Sequence, residues 1–99
     1  LAKFKLLFSK EAQAALSNLI KDQGAAKRLR AVRKTLGLLE TNPRHPGLHT
    51  HQYSKLIGPH GEKVFEAYAE NKTPAAFRVF WHYGPRAGQM TIVAITAHP

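Results

Sequence analysis

The chain has 99 residues, 43% of them hydrophobic, which suits one domain with one modest core and is too apolar for a disordered chain. It has no cysteine, which excludes a disulfide framework, thiolate metal ligands and a cysteine nucleophile, and fits a reducing, cytoplasmic setting. Fifteen Lys and Arg against six Asp and Glu give a formal net charge of +9, which favours a polyanion such as nucleic acid, an acidic protein segment or an anionic surface.

Residues 2–8, AKFKLLF, alternate Phe4, Leu6 and Phe8 against Lys3, Lys5 and Leu7, the period of a half-buried strand rather than of a signal peptide. Ser9 stands where a helix N-cap belongs, with Glu11 in the first turn at the positive end of the dipole. Ala12, Leu16, Leu19 and Ile20 form the apolar stripe of that helix, which Gly24 ends. A second helix is predicted over 25–41. Leu29, Val32, Leu36 and Leu39 repeat at helical spacing, and Lys27, Arg28, Arg30, Arg33 and Lys34 occupy the other faces. Asn42-Pro43 stops it, because the residue before proline is pushed out of the α region.

After the NPRHPG loop the helical period disappears. Residues 48–56 read as a strand with His49, His51 and Tyr53 on one side, and 57–62 as a turn. Strands follow over 63–69, 75–83 and 90–96, separated by ENKTP and GPRAG. The order β-α-α-β-β-β-β predicts an α+β domain spanning 1–99. Two N-terminal helices would pack on one face of a twisted, mainly antiparallel sheet that the first strand must also join. No apolar run approaches the roughly 18 residues of a membrane helix, so no membrane role is expected.

The segment AAFRVFWHYGP places an arginine inside an apolar strand. Alternation puts Phe77, Val79, Trp81 and Tyr83 on one face, read as core, and Ala76, Arg78, Phe80 and His82 on the other, open face. Arg78 would then lie in a concavity with Phe80 offering a ring to a base or sugar. It would pair with Glu66 or Glu70 across the sheet, clamp a phosphate, or do both, since guanidinium has five donors. Six histidines are present. His49 and His51 share a predicted strand face, and His98 ends the last strand on the side of Met90, Ile92, Ala94 and Thr96. They are either exposed polar residues or acid–base groups. Without cysteine, and with His45 in a proline loop, no metal site and no cofactor are expected. The basic stripe of the second helix is either a solvated face or a grip on a phosphate backbone. No Gly-rich phosphate loop precedes a helix, and no serine sits in a nucleophile elbow.

These residues resemble the RelE/ParE family of toxins from bacterial toxin–antitoxin pairs. The likeness rests on the strand KFKLLF, the opening SKEAQAALSNL, the helix end LETNP and the loop PRHPGLHTHQYSKL. It continues through the strand FRVFWHY to the terminal TIVAITAHP, covering residues 2–98. It implies a RelE/ParE-like α+β fold. In the RelE-like branch it implies cleavage of mRNA in the ribosomal decoding site, by attack of the ribose 2′-OH on the adjacent phosphate without a metal. Arg78 falls on the family's catalytic arginine and would clamp the phosphate. His98 falls near the C-terminal catalytic His or Tyr and would serve as acid or base. The carboxylate that some members carry after the loop is missing here, so His49, His51 or Glu66 would take its place. Lys55, Phe80, His82, Arg86, Lys27, Arg30 and Lys34 are the remaining residues offered to RNA. ParE-like members, which inhibit DNA gyrase without cutting RNA, are the alternative, followed by a non-toxic protein-binding homologue. The resemblance also implies a cognate antitoxin, acidic enough to complement the +9 charge, and is compatible with a homo-oligomer.

Overall fold

The first strand, β1 (Lys5–Phe8), turns at Ser9 into α1 (Lys10–Lys21). In the computed structural model, residues 3–99 are described; the expected strand residue Ala2 lies outside them. Ser9 caps α1 by accepting from the Ala12 N–H at 3.0 Å, which satisfies one of the donors a helix start leaves free. Asp22 ends α1 and its carboxylate accepts from the Gly24 N–H, so a short 3₁₀ turn leads into α2 (Ala26–Thr41). The buried stripe of α2 is Val32, Thr35, Leu36 and Leu39. Thr35 is tolerated there because its hydroxyl donates to the Tyr68 carbonyl at 3.0 Å. Ile20, expected in the α1 stripe, is exposed instead, while Ala12 and Leu19 are buried.

The remaining strands are β2 (His51–Ile57), β3 (Lys63–Tyr68), β4 (Phe77–Tyr83) and β5 (Gln89–Ala97). The five form one sheet in the order β1-β5-β4-β3-β2. Its pairs are antiparallel except β1 with β5, which run parallel, and the connection through both helices carries the chain from β1 at one edge to β2 at the other. Both helices cover one face, where Trp81, Val79, Ala67, Met90, Ile92 and Ile95 meet Ala12, Leu19, Val32, Leu36 and Leu39. Arg28 ties α2 to the β3–β4 turn through Glu70, 2.9 Å away, and lies over the Phe77 ring.

Two expected boundaries move, and a bulge interrupts the last strand. Residues 46–48 form a 3₁₀ turn and His49 is left-handed (φ 48°), so β2 begins at His51 rather than at 48. Ala75 is also left-handed (φ 53°), which delays β4 to Phe77. In β5, Trp81 pairs with Ile92 and Phe80 with Ala94, so Val93 is an extra residue in a β-bulge. The bulge is anchored from the other end of the chain: Ser9 donates its N–H to the Ile92 carbonyl at 3.0 Å and its hydroxyl to the Val93 carbonyl at 2.8 Å. It reverses the facing of everything downstream. Met90 and Ile92 point into the helix-side core, as does Ile95, whereas Ala94, Thr96 and His98 point to the opposite face. The expected placement of His98 beside Met90 and Ile92 is therefore corrected.

Candidate active site

The face away from the helices is more closed than alternation alone predicts. Glu66 is 0% exposed, Phe80 1% and Arg78 8%, and His82 is buried too. The register of β2 slips between Gln52 and Ile57, and Tyr53 lies against Phe80 with ring centroids 5.0 Å apart. Phe80 thus has no free ring for a base, and His82 is shut away with its Nδ1 against the Tyr83 carbonyl at 2.8 Å. The two expectations of RNA contact at these residues are corrected by that covering layer.

Glu66 is the centre of what remains. It stands opposite His51 on β2 and opposite Phe80 on β4. His51 Nε2 lies 2.8 Å from its Oε1, and His98 Nδ1 meets its Oε2. Arg78 Nε is 3.6 Å from that second oxygen, an ionic contact too long for a hydrogen bond. The carboxylate is sealed, whereas the side chains of His51 and His98 are each 49% exposed. Two reachable imidazoles therefore flank one buried charge. Facing the carboxylate, His98 Nδ1 acts as the donor, which leaves its Nε2 as the acceptor. His51 turns its Nδ1 to the His49 carbonyl at 3.2 Å, so both of its ring nitrogens face acceptor oxygens. The ring nitrogens are turned to acceptor oxygens rather than to a common centre. Among the described residues no group of three His, Asp or Glu is placed to hold a metal ion.

Arg78 is not an open phosphate clamp. Its Cζ sits 3.6 Å from the centroid of the Tyr68 ring. Its Nη1 donates to the Glu70 carbonyl, with the Phe77 carbonyl 3.4 Å away. Glu70 serves Arg78 through its backbone, not its carboxylate, because the carboxylate takes the Arg28 guanidinium and the Phe77 N–H, each at 2.9 Å. Tyr68 is a member of the cluster that sequence reasoning missed. The signal was there: it lies two residues beyond Glu66 on the same strand face, and it pairs in register with Arg78. His49 does not touch Glu66; its ring packs 5.2 Å from that of Tyr68.

Two solved structures share this architecture. The RelE–RelB complex of the archaeon Pyrococcus horikoshii OT3 aligns at a TM-score of 0.64 over 95% of this chain and 93% of that one, with 16% identity. The YoeB/ParE toxin from Agrobacterium tumefaciens aligns at 0.70 over 96% and 99%, with 9% identity. The fold is that of the RelE/ParE toxins. No protein-family model matches the sequence, and neither does any curated protein.

Within this RelE/ParE fold the remaining basic residues fall into separate groups. Lys55 is exposed on β2, the strand that carries His51. Arg86 is exposed in the β4–β5 loop, at the opposite end of those strands from Arg78 and His98. Lys27, Arg30 and Lys34 are exposed on α2, which packs on the other face of the sheet from Glu66. Only Arg78, His98, His51 and Glu66 are brought together.

Proposed function

We propose that the chain is the toxin of a toxin–antitoxin pair and a metal-independent endoribonuclease, a single domain acting on mRNA at the ribosome in the cytoplasm. The observation that supports this most is the pair of half-exposed imidazoles, His51 and His98, on the two oxygens of one buried carboxylate. Strand cleavage by 2′-OH attack needs a base for the hydroxyl proton and an acid for the departing 5′-oxygen. His98 Nε2 takes the 2′-proton, with Glu66 fixing the tautomer from behind. His51 delivers a proton to the leaving oxygen from Nδ1, which gives up its 3.2 Å contact with the His49 carbonyl while Nε2 stays on Glu66. The 2′-oxygen bonds to phosphorus as the P–O5′ bond breaks, giving a 2′,3′-cyclic phosphate and a 5′-hydroxyl. Arg78 stands against Glu66 instead of meeting the phosphate, and Lys55, exposed further along the strand of His51, is offered to the RNA backbone away from the reacting phosphate. An antitoxin partner is carried over from the RelE–RelB complex; an acidic segment would complement the +9 charge.

Inducible expression in a bacterium followed by mapping of mRNA 5′ ends tests this reading. New 5′-hydroxyl ends in register with ribosomes, lost in His98→Ala and His51→Ala, are expected. One observation favours a second reading, ParE-like inhibition of gyrase: the guanidinium that would clamp a phosphate is 8% exposed. Growth arrest by the double histidine variant, with intact mRNA and inhibited supercoiling, would decide for it.

A further inference from the structure

A cavity of about 490 Å³ opens on the other side of the sheet, between the loop after α2 and the ends of β3 and β4. Its walls include Phe65, Trp81 and Tyr83, and the loop contributes Arg44, His45 and Thr50. Phe65 and Glu66 are neighbours on β3 and so point to opposite faces, which sets this cavity on the other face from the His51–Glu66–His98 cluster, with His49 lining it and packing on the Tyr68 ring.

Its polar groups are unusual for a packed region. Trp81 is 1% exposed, yet its indole Nε1–H has no hydrogen-bond partner among the described residues, and neither has the buried hydroxyl of Thr50. A buried donor left unmatched costs about 1–3 kcal/mol, so native proteins rarely retain one without a use. His45 accepts the Gly47 N–H at its Nδ1 at 2.9 Å, which makes its Nε2 a donor. Arg44 adds an exposed guanidinium, and no Asp or Glu lines the cavity. The aromatic wall is rigid: Trp81 lies 4.9 Å from both Phe65 and Tyr83, the latter edge-on.

We propose that this cavity is a binding site for a nucleoside monophosphate unit. Such a unit has a flat ring for the aromatic wall and acceptors for the Trp81 N–H and Thr50 hydroxyl, both of which are sealed before binding and come within reach only as the ligand parts the side chains over them. Its phosphate meets Arg44 and His45. Donors in excess, with no acid present, select an acceptor-rich anion over a cation or a neutral apolar ligand. The unit is either a free mononucleotide or one residue of an RNA strand, and the recognition chemistry is the same.

Trp81 is the chain's one tryptophan, so its fluorescence reads occupancy directly. The full chain is titrated at physiological ionic strength with AMP, GMP, CMP and UMP, with inorganic phosphate and with short single-stranded RNA, and each titration is repeated by calorimetry. A saturable change with at least one mononucleotide is expected. Arg44→Ala should weaken it about tenfold or more, Thr50→Val should weaken it too, and Lys10→Ala on α1 should not. If RNA alone produces the change and Arg44→Ala diminishes it, the unit is read within a strand. No saturable change with either, an undiminished change in Arg44→Ala, or equal affinity for inorganic phosphate would overturn the proposal. None of these outcomes bears on the histidine cluster, which lies on the opposite face.

Discussion

Replacing Glu66 with Gln keeps the side chain's shape and removes its charge. Arg78 then loses its one carboxylate contact, 3.6 Å away, and keeps two backbone carbonyls and the Tyr68 ring. At an effective dielectric near 20, that separation corresponds to about 4–5 kcal/mol of attraction. Relief of the buried carboxylate's own desolvation cost offsets part of the loss, leaving a net destabilisation of about 2–3 kcal/mol. For a domain of this size that is a fall in Tm of roughly 10–20 °C. Urea and thermal unfolding followed by far-ultraviolet circular dichroism measure it. The penalty comes from a stranded cation, so adding Arg78→Met should recover part of it. The double variant should be less destabilised than the sum of the singles by about 1 kcal/mol or more. A Glu66→Gln protein within about 0.5 kcal/mol of the parent, or strict additivity of the pair, would refute the argument that these charges are energetically coupled.

Ser9→Ala removes a helix cap and the hydroxyl half of the β5 bulge's anchor together. It should cost about 1–2 kcal/mol in urea unfolding and speed amide exchange at Val93 and Ala94, whereas a cap loss alone would leave those amides unchanged. RNA cleavage by the His98–His51 pair should follow a bell-shaped pH profile; a flat profile in the parent protein would contradict the acid–base assignment. Affinity for the antitoxin should fall as salt is added, as isothermal titration at several ionic strengths will show. At the 58–62 turn, the His60 N–H donates to Glu62 Oε1 at 2.8 Å and holds that carboxyl below its ordinary value of 4.5. Its contribution to stability is therefore present above that value and is lost as pH falls through the lowered one. NMR titration should find Glu62 below its ordinary value of 4.5, and Glu62→Gln should remove this part of the acid dependence.

How much of this was legible beforehand differs from element to element. Both helices are written in local chemistry: a serine cap, a stripe at i, i+3 and i+4, and Asn-Pro as a stop. They form where that chemistry places them because a helix's backbone bonds lie within the segment. The strands of the second half were legible for a similar reason, since alternation of apolar and polar residues marks a pleated surface without reference to its partner. Glu66, Arg78, His51 and His98 were named as residue types suited to phosphoryl chemistry. That they converge could not be read locally, since residues 51, 66, 78 and 98 sit on three different strands and a chain end.

The sequence by itself determined the element order, the helix-facing side of β4 and the dense positive charge. All of these follow from periods and composition that each segment carries alone. Tertiary structure decided which way His98 points and how open Arg78 is. Facing in a strand alternates only while pairing is unbroken. One extra residue, Val93, reverses it, and that bulge is held by Ser9, 84 residues away in the chain. Arg78 alternates as expected but is covered by Tyr68 from the adjacent strand. Burial is a property of what lies across the sheet, and a strand's own residues do not encode their cover.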